Sequence, residues 1–134
     1  MNFELAAKIK NRLGRFPMSC AIIDGDKVFS EILVELMSGL GFVVSEFDSG
    51  SEFSEVYENF RFDVVMITWN ADGFSGAEVV AHIESLPEPY PSIIVMFEDN
   101  ASISVQLSLA PIGFLFKPFD SNRVMTLIWG AIGE

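Results

Sequence analysis

Residues 62–80 read FDVVMITWNADGFSGAEVV, and two periodicities follow one another within them. From Phe62 to Thr68 the chain is almost continuously apolar and rich in Val and Ile, which is the texture of a strand covered on both faces. A loop follows, and from Gly76 to Leu86 the spacing becomes that of an amphipathic helix. A buried strand feeding a helix is the repeating unit of a parallel sheet.

The same alternation runs outward in both directions. Short apolar runs at Ser19–Ile23 and Phe42–Glu46 precede this unit, and Ser92–Phe97 and Gly113–Phe116 follow it. Helical patterns fill the intervals at Val28–Leu40, Ser51–Phe60, Ser102–Leu109 and Asn122–Ile132. In the first of these, Val28, Ile32, Leu33, Leu36, Met37 and Leu40 form one apolar stripe. Glu31 and Glu35 face out, and Gly41 supplies the stop. Five strands alternating with five helices predict an α/β fold, an open doubly wound (βα)5 sheet between two helical layers. Residues 1–17 stand outside the alternation as a basic helical extension, with Phe3, Ala6, Ala7 and Leu13 apolar. The domain proper then covers 18–134.

The chain of 134 residues is long enough for one domain with a real core, and half of it is hydrophobic. Its net charge of -11 is uneven: four bases against Glu4 give residues 1–15 a charge of +3, leaving -14 for the rest. So acidic a body repels a phosphate backbone, which argues against nucleic acid as a partner. The single cysteine, Cys20, forms neither an internal disulfide nor a structural zinc site. With no signal-peptide pattern and no apolar run of membrane-spanning length, the expectation is a soluble cytoplasmic protein with no membrane role.

In a doubly wound sheet, chemistry gathers at the carboxyl ends of the strands. Those ends hold Asp24, Gly25 and Asp26, then Thr68, then Phe97, Glu98 and Asp99, and finally Lys117 and Pro118. With these residues in view the chain resembles a response-regulator receiver domain of two-component signalling, from about Met18 onward. The resemblance rests on AIIDGDKVF (21–29), on FDVVMITWNADGFSGAEVV, and on GFLFKPFD (113–120). It implies a flavodoxin-like three-layer sandwich with strand order 2-1-3-4-5 and a cis Lys117–Pro118 bond. It also implies a chemistry. Two acids after the first strand and a phosphoacceptor aspartate after the third hold Mg²⁺, the lysine neutralises the phosphoryl group, and a hydroxyl after the fourth strand re-aims an aromatic ring on the fifth.

Against that pattern only Asp24 and Lys117 keep their chemical type. Gly25 takes the place of the second acid, although Asp26 follows it. Thr68 stands at the phosphoacceptor position, Phe97 at the hydroxyl position and Glu98 beside it, while Phe114 keeps the switch ring without a hydroxyl. A threonine hydroxyl is a poor nucleophile without a base, and His82 lies on a helix away from the site. Asp24 alone is a poor magnesium site, so no cofactor or metal is expected, with Asp24 and Asp26 the weak cation candidates. Phe97 is expected to put a ring where a phosphoryl group needs a donor. Lys117, left without phosphate or metal, is expected to pair with Asp24, with the Thr68 hydroxyl as a second acceptor.

The reading is therefore a degenerate pseudo-receiver, not an enzyme, acting by phosphorylation-independent contact with a signalling protein such as a kinase, regulator or output protein. Within these residues no output domain follows. The leftover apolar side chains of SISVQLSLA (102–110) and of the last helix mark an interaction face, Ile103, Val105, Met125, Trp129 and Ile132. Val124, Leu127, Ile128 and Ala131 are left for the core. By the resemblance, the fourth helix, fifth strand and fifth helix would form a homodimer face. The alternative is a receiver-fold sensor with a residual input: a cation, a small ligand, or modification of Thr68. AIIDGDKVF also fits the opening motif of haloacid-dehalogenase-like phosphatases, with Asp24 as nucleophile and Asp26 as general acid. The order of the other parts opposes it, since Lys117 follows the Glu98–Asp99 pair and a helix begins at once after Asp26. Neither a dinucleotide fingerprint nor a phosphate-binding loop is present.

Overall fold

The computed structural model describes residues 18–69, 76–97, 113–117 and 120–133, with residues 129–133 described as backbone. Five strands, β1 (Ser19–Ile23), β2 (Val43–Phe47), β3 (Val64–Thr68), β4 (Ser92–Phe97) and β5 (Gly113–Phe116), form one sheet. All neighbours are parallel, in the order β2-β1-β3-β4-β5. Among the described residues the helices are α1 (Lys27–Gly39), α2 (Gly50–Tyr57), α3 (Gly76–Glu84) and α4 (Ser121–Gly133). The expected fold class and strand order are those observed. Phe42 and Phe62, read as strand residues, lie just before β2 and β3, with their rings buried at the edge of the core.

Alternation of side chains along the strands divides the interior into two layers. Cys20, Ile22, Val64, Met66, Ile94, Met96 and Leu115 meet α1 and α4 on one face of the sheet. Ala21, Ile23, Val65, Ile67, Ile93, Val95 and Phe97 meet α2 and α3 on the other. Because both faces are covered, β1, β3 and β4 are apolar except at one end of each, at Ser19, Thr68 and Ser92, which is the sequence signature of a sandwiched parallel sheet.

Helix α1 sits at a different phase from the one the stripe predicts. Leu33, Met37 and the following Leu40 are buried, but Val28 is 72% exposed and Ile32 57% exposed. The buried side instead carries Ser30, whose hydroxyl donates to the Glu46 carboxylate on β2, and Phe29, which packs against the first layer. A satisfied hydroxyl costs little to bury, so Ser30 can occupy an interior position that hydropathy alone gives to Ile32. The end of α1 is as expected. Gly41 has φ 101°, and the Phe42 N–H donates to the Met37 carbonyl at 3.1 Å, closing the helix over a left-handed residue.

In α4, Val124 and Ile128 are fully buried, in agreement with the predicted core stripe. Met125, assigned to the outer side, is instead half-buried and packs against the first layer together with Leu127. The helix approaches β5 so closely that a Cβ on Gly113 would lie 2.3 Å from Leu127 Cδ2. Met125 and Leu127 flank the buried Val124 and Ile128 on either side of the helix, so both edges of the stripe reach the first layer. The side chains of Trp129, Ala131 and Ile132, the segment Ser102–Leu109 with Ile103 and Val105, and the extension 1–17 lie outside the described residues.

Candidate functional site

Asp24 follows β1 directly, and its N–H donates to the Phe47 carbonyl at 3.1 Å, so the ladder to β2 fixes its backbone. The residue is 1% exposed. Its carboxylate is fully engaged: Oδ1 accepts the Asp26 N–H at 2.9 Å, and Oδ2 accepts the Lys117 ammonium at 2.6 Å. Asp26 caps α1, with Oδ1 accepting the N–H groups of Val28 and Phe29 at 3.1 and 3.2 Å. Gly25 links the two acids and offers no side-chain ligand.

Lys117 follows β5 and is positioned in the same manner, its N–H donating to the Phe97 carbonyl at 2.8 Å. Its side chain is 6% exposed, its ammonium lies 4.6 Å from the centre of the Phe29 ring, and Asp24 completes the enclosure. A cation held between a carboxylate and an aromatic face is stabilised by both. The expected Lys117–Asp24 pair is thus present. Phe29, which the sequence reading passed over, is its third member. The signal available in the sequence was an aromatic residue in the first turn of the helix that begins beside Asp24.

Thr68 ends β3 on the same face as Asp24 and Lys117, since Val64 and Met66 belong to the first layer. It is 4% exposed, and its Oγ1 has no hydrogen-bond partner. The expected bond from Lys117 to this hydroxyl is therefore not made: Asp24 and Phe29 hold the ammonium elsewhere. Past Thr68, the Trp69 N–H donates to the Met96 carbonyl at 2.8 Å and the Gly76 N–H donates to the Trp69 carbonyl at 2.7 Å, pinning the start of α3 to the end of β3.

Phe97 departs from expectation. It lies in the second layer, not over the Asp24–Lys117 pair, because it falls on the opposite side of β4 from Met96. Its ring stacks on Phe114 and Phe116, with centroids 5.9 and 5.2 Å apart, and lies 6.3 Å from Trp69. Phe114 and Phe116 are 38% and 40% exposed along the edge strand. The described residues of the expected site therefore separate into a polar half of Asp24, Asp26, Thr68 and Lys117, and an aromatic half through the sheet. Glu98, Asp99, Pro118 and the Lys117–Pro118 bond lie outside the described residues.

The polar half does not fit a divalent cation. Both Asp24 oxygens already accept hydrogen bonds, one from an ammonium that would repel the ion, and an Asp26 oxygen is committed to α1. Among the described residues no group of three or more His, Cys, Asp or Glu is placed to hold a metal. Asp26, the general acid of the phosphatase reading, caps α1 through one carboxylate oxygen, and Asp24, its nucleophile, is held by Lys117. On the exposed rim Lys27 pairs with Asp48, and this hydrogen bond raises the Lys27 pKa. Away from the site, the His82 ring donates to the Ser54 carbonyl at 3.1 Å between α3 and α2, and Cys20 is buried in β1, as packing residues should be.

The response regulator receiver domain family model matches residues 20–129. Over 114 residues the chain is 27% identical to the transcriptional regulatory protein FixJ of Bradyrhizobium diazoefficiens, covering 84% of this chain and 56% of that protein. It thus spans little more than half the length of this curated relative. The crystal structure of full-length FixJ from B. japonicum superposes with a TM-score of 0.73 at 25% identity, covering 89% of this chain and 59% of that one. The receiver domain of a sensor histidine kinase from Pseudomonas aeruginosa, solved with magnesium coordinated in its active site cleft, gives 0.72 at 17% identity, covering 87% and 98%. With the fold, the strand-end Asp24 and Lys117, and a family match over most of the chain in agreement, this protein belongs to the response regulator receiver domain family.

Proposed function

We propose that this receiver works without aspartyl phosphorylation, as a pseudo-receiver that signals by protein–protein contact in the cytoplasm. One observation carries the reading: the Lys117 ammonium bonds Asp24 at 2.6 Å with both side chains buried, beside a threonine where the family places its acceptor. The pair neutralises internally the charges that metal and phosphoryl group would otherwise answer. Phosphorylation at this site would require breaking a buried ion pair and using a neutral hydroxyl with no base beside it among the described residues.

The partner is a signalling protein, a kinase, regulator or output protein, or a second copy of the chain. Phe114 and Phe116, exposed on the edge strand β5, support a contact that includes this strand, with the segment 102–109 and α4 as the further parts of the face read from the sequence. No helix among the described residues is long and apolar enough to cross a membrane. The test is the intact mass of the chain before and after incubation with acetyl phosphate and Mg²⁺. An unchanged mass is expected; a stoichiometric phosphoryl gain overturns the proposal. Size analysis of Trp129→Arg then addresses the contact face: unaltered self-association and partner binding would remove that face from the reading.

A further inference from the structure

Helix α1 turns an apolar pair outward. Val28 and Ile32 stand one turn apart on its exposed side together with Glu31 and Glu35, opposite the buried Ser30, Leu33 and Met37. Lys27, the base of this helix, is already paired with Asp48, and no ion pair among the described residues involves either glutamate. Two acids one turn apart repel each other, and the two aliphatic side chains beside them gain free energy once they leave water. Charge and hydropathy therefore ask for the same kind of cover, one that is basic and apolar together.

A second copy docked through this face by two-fold symmetry would set Glu31 and Glu35 against themselves, and an anionic membrane is repelled by them. The chain carries a segment that fits. Residues 1–17 hold Lys8, Lys10, Arg12 and Arg15 against Glu4, with Leu5, Ile9 and Leu13 at the same spacing of four as Val28 and Ile32. The segment joins the body beside α1: the Met18 carbonyl accepts the Val43 N–H at 2.8 Å, and Met18 packs in one layer with Leu40 and Phe42, where α1 ends. From there α1 extends back about 20 Å, and residues 1–17 span about 25 Å as a helix and more when extended, so they reach Val28. Attachment to the same chain also gives the segment an effective concentration on the order of millimolar. We infer that residues 1–17 fold back along α1 and cover Val28 and Ile32, with the bases of the segment set against Glu31 and Glu35. A protein docking on this face of α1 must then displace the segment. The contact lies on the side of β1 and β2, away from Phe114 and Phe116 on the opposite edge, so it stands apart from the function proposed above.

The test uses the full chain with a nitroxide attached to Asn11→Cys, the amide signals being followed by heteronuclear NMR. Cys20 is fully buried, so the reagent goes to the new thiol. Val28, Glu31, Ile32 and Glu35 should lose amide intensity, while Phe114 and Phe116 should keep theirs. Glu31→Lys with Glu35→Lys should restore the intensity along α1, and adding Lys8→Glu with Arg12→Glu should remove it again. Both glutamates are exposed, so the signals of the core strands should stay in place in every sample. Full intensity along α1 in the labelled chain, a loss that survives the reversal at Glu31 and Glu35, or a charge-swapped chain that fails to regain the loss would each overturn the inference. So would an equal loss in an isotope-enriched chain without the nitroxide when mixed with one that carries it, which would assign the contact to a second copy.

Discussion

Replacing Lys117 by methionine isolates the electrostatic part of the site. The new side chain has about the same length and still covers the Phe29 ring, so little packing is lost. What is lost is the cation bonded to Asp24 Oδ2 at 2.6 Å, leaving a carboxylate with 2% side-chain exposure and the Asp26 N–H on Oδ1. Removing one partner of a buried pair costs about 3–5 kcal/mol, and the surviving N–H bond sets the expectation near the lower end, about 3 kcal/mol. Against a total stability of roughly 5–15 kcal/mol this is a large fraction. With a urea dependence of about 1.5 kcal/mol per molar, the unfolding midpoint should fall by about 2 M. Asp24→Asn should cost a similar amount, because it takes the carboxylate away from the buried ammonium while keeping an oxygen for the Asp26 N–H. The double variant leaves no buried charge and should lose less than the sum of the singles by about 2 kcal/mol or more. Urea titration followed by circular dichroism measures all four corners of the cycle. Single losses below about 1 kcal/mol, or losses that simply add, would refute the argument and show the two groups reaching water independently.

The hydroxyl of Thr68 is buried without a partner, so Thr68→Val, which keeps the shape, should leave stability unchanged or raise it by up to about 1 kcal/mol in the same titration. Gly76→Ala should destabilise by about 1–3 kcal/mol and alter tryptophan fluorescence, because a Cβ there would sit 2.4 Å from the Trp69 ring. Gly39→Ala is the control: it meets nothing within 4 Å at the end of α1 and should stabilise by about 0.5–1 kcal/mol. Cys20 is fully buried, and burial pushes its thiol pKa well above the usual range, so the native chain should resist a thiol-specific reagent at neutral pH and react only on unfolding. Rapid labelling of the native chain would show that β1 opens locally.

The strands were legible because sandwiching between two helical layers leaves one-dimensional traces. β1, β4 and β5 start and stop where their apolar runs do. Helical phase was less legible. The stripe through Val28 and Ile32 is a correct account of hydropathy, yet α1 turns Phe29 toward Lys117 and Ser30 toward Glu46. Those partners lie 88 and 16 residues away, and a local window contains neither. The site divides in the same manner. Asp24 and Lys117 could be paired by chemistry, since each strand end leaves one buried charge in need of the other. The orphaned Thr68 hydroxyl could not be foreseen, because it depends on where Asp24 and Phe29 hold the ammonium.

Phe97 gives the least local lesson. Read as a residue at a strand end, it belongs with Thr68 and Lys117; read by alternation along β4, it belongs with Val95, beneath the second layer. The structure follows alternation, and the ring then finds Phe114 and Phe116, which β5 presents on the same side. A hydroxyl at this position would have water or a phosphoryl oxygen to seek, whereas a benzyl group loses free energy until it is covered. Replacing the one by the other therefore reverses the drive on the end of β4, from the polar pocket toward the aromatic stack. The two halves of the site remain joined through the backbone, where the Lys117 N–H donates to the Phe97 carbonyl at 2.8 Å. That bond fixes the end of β5 from one side while the buried ion pair with Asp24 fixes it from the other. Held at both points, β5 presents Phe114 and Phe116 to solvent from a fixed strand end, and a contact through this strand, as proposed above, would meet side chains already in place.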